Sequence, residues 1–310
     1  VTPRPKILPV VLVTAILGIS VSGPLARLAQ AEPLAIAVWR LILALSVIGL
    51  MLLWTGSWRE WRALSRRDVL IGAAAGVFLA VHFWSWIASL GMTTIAASVV
   101  LVNLHPVVII AGSALWLGER PLRRQVVGLA LALVGAAVIG LGDSSDASAS
   151  RALLGNALAL LGAVTVGLYY LVGRSLRQRL TLWPYVGLVY GACLAALLVF
   201  ALFDGTTLTG FAAREWMLFG GIALGPMLLG HTGFNWSLRY VPAFVVSLAV
   251  LAEPVGAALL AYLIPAIRET PAPAVMIGGA VVLVGLGVGS MVGASGASRA
   301  PATAASESSE

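Results

Sequence analysis

LVNLHPVVIIAGSALWLGERP, residues 101–121, has a counterpart in LAEPVGAALLAYLIPAIRETP, residues 251–271. Each is an apolar run in which a titratable residue precedes a proline: His105 before Pro106, Glu253 before Pro254. Each closes on an acid two residues ahead of a final proline, Glu119 with Pro121 and Glu269 with Pro271. Proline removes a backbone hydrogen bond and permits a kink, so Pro106 and Pro254 are candidate hinges. A titratable group beside a hinge is placed to couple protonation to motion, and equally placed to cap freed backbone donors.

The correspondence extends in both directions. Gly72, Gly76 and His82 recur as Gly221, Gly225 and His231. Gly128 and Gly135 recur as Gly278 and Gly285, and Gly18 and Gly23 as Gly162 and Gly167. Such matches in one order mark an internal repeat. The repeat unit holds five apolar runs, an odd number, so the second copy enters a membrane from the opposite side. Inverted repeats are the usual basis of alternating access, with a substrate site where they meet near the midplane. The glycines themselves read first as close helix-packing positions.

The bulk properties agree. Of 310 residues, 60% are apolar and 10% charged, and the mean hydropathy is +1.01. A soluble domain is about a quarter charged, so a soluble enzyme and a disordered chain are both excluded. Ten runs reach the roughly 20 residues that a spanning helix needs: 7–28, 34–54, 69–91, 94–117, 125–142, 152–174, 183–203, 215–238, 241–264 and 273–293. The first is too long for a signal-peptide core and lacks a small-residue cleavage site, so it is kept as a span. Val1 is taken to mark a non-ATG start codon. The expected fold is all-α and integral to the membrane, ten helices in two inverted five-helix repeats. The first repeat is 1–142, a linker follows at 143–151, the second repeat is 152–293, and 294–310 form a disordered tail.

The net charge of +7 does not indicate nucleic acid, because the 19 basic residues are scattered, nearly all between the apolar runs, and form no continuous stripe. Fourteen fall on one side of the ten-span plan, four (Arg27, Arg151, Arg214, Arg268) on the other, and Arg40 lies within span two. Positive loops stay inside, so both termini are expected to be cytoplasmic in a cell (inner) membrane protein. The sole cysteine, Cys193, permits no internal disulfide.

Several chemistries have no sequence basis. There is no phosphate-binding loop, and the only lysine is Lys6. HExxH and GxSxG are absent. The three histidines lie on three spans with no zinc-like spacing. No catalytic residue, metal, cofactor or ATPase subunit is indicated. The partners expected are the bilayer, a small-molecule substrate and, for a coupled transporter, protons.

Charges at the bilayer centre cost about 2.5–3.5 kcal/mol each on insertion scales, which singles out Arg40, His82, His105, His231 and Glu253. Arg40 reads as a charge partner for a substrate carboxylate or for Glu253, or as a clamp on a helix carbonyl that snorkels outward. His82, Trp86 and Ser89 fall at i, i+4 and i+7, so they share one helix face. His231 and Asn235 share another. Thr165 and Tyr169 share a third, beside Tyr170. His82 and Glu253 are the candidates for proton coupling.

The chain resembles the drug/metabolite transporter superfamily, specifically the ten-helix EamA-like permeases. VWRL around Arg40, SLGMTTIAASVVLVNLHPV ending at Val107, LGERP at 117–121, GHTGFNWSL at 230–238 and EPVGA at 253–257 carry the likeness. It implies a central cavity lined by helices one, three, four, six, eight and nine. Carried over by position, that adds Ser20, Ser22, Ser98 and Asn103 to His82, Trp86, Ser89, His105, Thr165, Tyr169, His231, Asn235 and Glu253. It implies export of amino acids or other small metabolites, with a lipid or lipid-linked flippase as the alternative. An integral-membrane enzyme ranks last. One departure stands out: AYLIPAIRETP carries Pro265 and two more residues than LWLGERP, so the end of span nine is expected to be kinked or shortened.

Overall fold

The structure, a computed structural model, describes residues 5–117, 122–142, 149–177, 179–237, 239–240, 249–250 and 252–290. Glu119, Pro121, residues 143–148 of the expected linker and the expected tail lie outside them.

Helices α1 (Leu8–Ser20), α2 (Ser22–Leu28), α3 (Pro33–Thr55), α4 (Arg66–Leu90), α5 (Ile95–Val102), α6 (His105–Leu117) and α7 (Arg123–Gly142) come from the first half. Helices α8 (Ala149–Arg177), α9 (Leu182–Asp204), α10 (Ala213–Ile222), α11 (Thr232–Ser237), α12 (Glu253–Leu263) and α13 (Pro273–Ser290) come from the second. No strand occurs among the described residues. Among the described residues, seven stretches are long and apolar enough to cross a membrane: Leu8–Leu28, Pro33–Thr55, Arg66–Leu90, Ile95–Gly112, Ser150–Val172, Leu182–Asp204 and Ala213–Ser237. Val126–Ile139, Glu253–Leu263 and Pro273–Gly285 are shorter apolar helices. The chain is an all-helical membrane protein. Its outward faces are greasy, as lipid contact requires: Leu53 is 71% exposed, Leu202 80% and Phe203 86%.

Local signals set the helix ends. Ser65 and Asp68 form a reciprocal capping box at the start of α4. Thr94 caps α5 through the Ala97 N–H. Pro33 occupies the first turn of α3, where its missing N–H is harmless. Gly56, at φ 66°, ends that helix in the left-handed conformation. Helix α12 stops at Leu263, two residues before Pro265, and the chain then turns through Arg268 at φ 46°. The span expected to end near residue 264 thus leaves the helix at Leu263.

Glycines set the closest contacts. A Cβ on Gly135 would lie 2.5 Å from the Gly278 carbonyl oxygen, and one on Gly285 would lie 2.6 Å from that of Gly128. A Cβ on Gly18 would lie 2.7 Å from the Gly225 oxygen, and one on Gly76 would lie 2.7 Å from the Val189 oxygen. Backbones this close leave room for hydrogen only, the small-residue packing that replaces a water-driven term inside lipid.

At one end of the bundle, charged side chains tie helix ends together. Arg27 donates to the Thr93 carbonyl and pairs with Glu269 at 3.4 Å. Glu269 in turn accepts from the Ala96 N–H at the start of α5. Arg214 donates to the Leu28 carbonyl at 2.8 Å, and Glu215 accepts from the Gln30 and Ala31 N–H groups. Arg151 donates to the Gly91 carbonyl at 3.1 Å. Cations on terminal carbonyls and acids on terminal amides both complement the helix dipole. Three of the four arginines on the sparsely basic side thus have structural work at helix ends.

Candidate functional site

Two interruptions shape the centre of the bundle. Between α5 and α6 the helix breaks at Asn103 and Leu104, directly before His105 and Pro106. Helix α12 begins at Glu253, with Pro254 in its first turn. Both candidate hinge prolines therefore stand at the start of a new helix, where their missing N–H is tolerated. Opposite them, Ala223–His231 winds as a π-helix around Pro226, and the Thr232 hydroxyl reaches back five residues to the Met227 carbonyl at 3.0 Å. Proline cannot donate, and its ring clashes with the preceding turn; the wider turn accommodates both effects. Such turns often occur at functional sites.

The interruptions surround a central cavity. Ile19 and Ser22 line it from the first span, His82 and Trp86 from α4, and Val102, Asn103 and His105 from the α5–α6 break. Val166 and Tyr170 face it from α8, Pro226, His231 and Phe234 from the π-helical span, and Val250 and Glu253 from the ninth. Glu253 is the only carboxylate or guanidinium side chain among these fourteen lining residues.

Seven residues singled out from sequence border this space: Ser22, His82, Trp86, Asn103, His105, His231 and Glu253. The rings of His82 and Trp86 lie parallel with centroids 6.3 Å apart, and His82 meets His231 edge-on at 6.4 Å. His82 Nδ1 lies 2.9 Å from the Gly162 carbonyl. A carbonyl only accepts, so Nδ1 carries the proton and Nε2 is the free ring nitrogen. Asn103 Nδ2 donates to Glu253 Oε2 at 3.1 Å and to the Val99 carbonyl at 2.9 Å.

Other candidates do not line this cavity. Ser89 donates to the Trp86 carbonyl and shares a 2.6 Å hydrogen bond with Ser98, joining α4 to α5. Ser20 donates to the Ile16 carbonyl and packs against Gly256. Thr165 donates to the Leu161 carbonyl. Tyr169 is fully buried beside Asn235, whose Nδ2 donates to the Tyr169 hydroxyl at 3.0 Å and to that of Tyr190 at 3.4 Å. Arg177 adds a 2.9 Å bond from Nε to the Asn235 carbonyl.

Arg40 is wholly buried rather than snorkelling. Its Nη2 donates to Met227 Sδ at 3.5 Å, and its guanidinium stacks 4.0 Å from the Phe83 ring centroid. Glu253 is not its partner. Among the described residues neither Nε nor Nη1 of Arg40 has a hydrogen-bond acceptor.

Val166, Pro226 and Phe234 were not reached from sequence, whereas Tyr170 was named beside Tyr169 as an aromatic wall. A signal for Val166 and for choosing Tyr170 existed. A Cβ on Gly162 would meet Trp86 and Ser85 of α4, and Val166 and Tyr170 continue that face at i+4 and i+8. Among the described residues no three His, Cys, Asp or Glu side chains gather as a metal set.

Comparison with known proteins adds a family. The model of the EamA-like transporter family matches residues 6–141 and again 153–291. A solved crystal structure aligns with a TM-score of 0.65 at 20% identity, covering 92% of this chain and 96% of that one; at that identity the likeness is one of fold. No curated protein matches.

Proposed function

The chain belongs to the EamA-like transporter family, and from that premise we propose that it is a secondary transporter exporting amino acids or other small metabolites across the inner membrane by alternating access. The observation that carries this reading is the central cavity. It is bordered by residues of both halves of the chain, at the level where the α5–α6 and α12 helices begin anew. Discontinuous helices at the meeting of two repeats are where transporters of this kind hold substrate.

Ten spans in two inverted repeats belong to the same proposal. Packing between matched glycines supports it. If residue 128 corresponds to 278 and 135 to 285, a two-fold relation turns the Gly135–Gly278 contact into Gly285–Gly128. Both contacts occur, each within 2.6 Å of a hypothetical Cβ. With the first repeat entering from the cytoplasm, both termini are cytoplasmic.

Purified protein in liposomes supplies the test. Counterflow of a labelled amino acid or small amine, saturable and absent from empty vesicles, is the expected result. Movement of a fluorescent phospholipid without movement of any water-soluble solute would replace this reading with the flippase.

A further inference from the structure

Resting on the transporter reading above, we propose that the cavity takes substrates bearing a protonated primary amine, held between the Glu253 carboxylate and the Asn103 amide oxygen.

Charge is the first argument. Among the described lining residues Glu253 is the only carboxylate or guanidinium side chain, and no lysine or arginine accompanies it there. The buried cation Arg40 stacks on Phe83, whose ring meets His82 and His231 at 5.2 and 5.4 Å. It stands a ring behind the lining. An anionic substrate would desolvate its charge with only neutral dipoles or ionisable histidines beside it, whereas an ammonium meets a carboxylate directly.

Hydrogen bonding is the second. Asn103 is 1% exposed, and its orientation is fixed because Nδ2 faces two acceptors, the Val99 carbonyl and Glu253. The remaining atom, Oδ1, is buried without a partner among the described residues. A carboxylate and a vacant amide oxygen on neighbouring side chains ask for several N–H donors on one atom. A primary ammonium provides three. A quaternary ammonium provides none and would leave Oδ1 unsatisfied.

The rest of the wall suits the body of such a molecule. Trp86 and Tyr170 offer ring faces that attract cations and pack apolar chains. Glu253 itself lies in the first turn of α12, where the helix amides favour negative charge.

Binding of charge-matched probes to the full chain in detergent tests this, read by calorimetry. Phenethylamine and hexylamine are compared with hydrocinnamate and with trimethyl(phenethyl)ammonium. The two amines are expected to bind ~30-fold or more tighter than hydrocinnamate, the scale of a buried charge pair, and tighter than the quaternary probe. Glu253→Gln should erase the preference of amine over acid. The wild-type series stands even where that variant fails to fold. Equal or tighter binding of hydrocinnamate, equal binding of the quaternary probe, or no binding of either amine at millimolar concentration overturns the proposal. Counterflow of an acid that carries no amino group, with none of any primary amine or amino acid, would sink it while leaving the transporter reading intact; phospholipid movement alone would remove both.

Discussion

Asn103 and Glu253 meet at 3.1 Å across the cavity wall although 150 residues separate them in sequence. One lies in the turn between α5 and α6, the other opens α12. Asn103 thereby joins the two helix breaks. Replacing it by leucine leaves the buried carboxylate and the Val99 carbonyl short of a donor. Unfolding measurements in detergent should show a loss of about 1–3 kcal/mol for Asn103→Leu. Asn103→Leu combined with Glu253→Leu should lose less than the sum of the single changes, because the uncompensated carboxylate is gone as well. Strict additivity would mean that the two side chains do not act as a pair.

The Gly135–Gly278 contact predicts a sharp contrast between glycines. Gly135→Ala drives a methyl to 2.5 Å from a backbone oxygen, so α7 and α13 must separate. The expected destabilisation is about 1–3 kcal/mol. Gly191, in the middle of α9, has nothing within 4 Å of a Cβ. Gly191→Ala should be neutral or stabilising by up to about 1 kcal/mol, since alanine is the better helix former. Equal thermal shifts for both variants would contradict this packing.

Glu269 predicts a pH effect at the end of the bundle. Burial raises its carboxyl above the ordinary 4.5, and the neighbouring Arg27 and the Ala96 and Ile95 amides pull it partly back. A folded value above the unfolded one means the folded state binds the proton more tightly. The contribution to stability is then full below pH 4.5 and is lost as pH rises through the folded value. Glu269→Gln cannot titrate. The difference in melting temperature, variant minus wild type, should therefore grow more positive from acid toward neutral pH. A difference that shrinks over that range would mean the Arg27 pair outweighs burial.

Part of this site was legible before any coordinates. His82 and Trp86 were reached because i, i+4 spacing survives in any straight helix. His105 and Glu253 were reached because a titratable residue beside an intramembrane proline is rare and expensive. Tyr169 and Tyr170 show the limit. Adjacent residues on a helix point about 100° apart, and only the neighbour across the interface decides between them. Gly162, pressed against Trp86 and Ser85, turns Tyr170 to the cavity and Tyr169 to Asn235. The π-helical stretch at Ala223–His231 was not legible, because Pro226 signals a disturbed helix without saying how the turn widens. Among the described residues the ten-span plan corresponds to seven stretches of spanning length and three shorter apolar helices.

Arg40 gives the last prediction. Its guanidinium is fully buried, stacked on Phe83 and, among the described residues, bonded only to a thioether sulfur, a weak acceptor. Stacking on an aromatic face returns about 2 kcal/mol when desolvated. Removing a guanidinium from water costs several kcal/mol, even after relaxation. Desolvation therefore outweighs the stacking, and a long apolar side chain should be the better occupant. Arg40→Met, which keeps the length and meets Met227 and Phe83 with an apolar surface, should raise the melting temperature in detergent. Arg40→Ala should lower it by opening a hole in the same packing. If methionine also destabilises, the guanidinium has an anionic or carbonyl partner in the membrane, and the charge at this position serves more than packing.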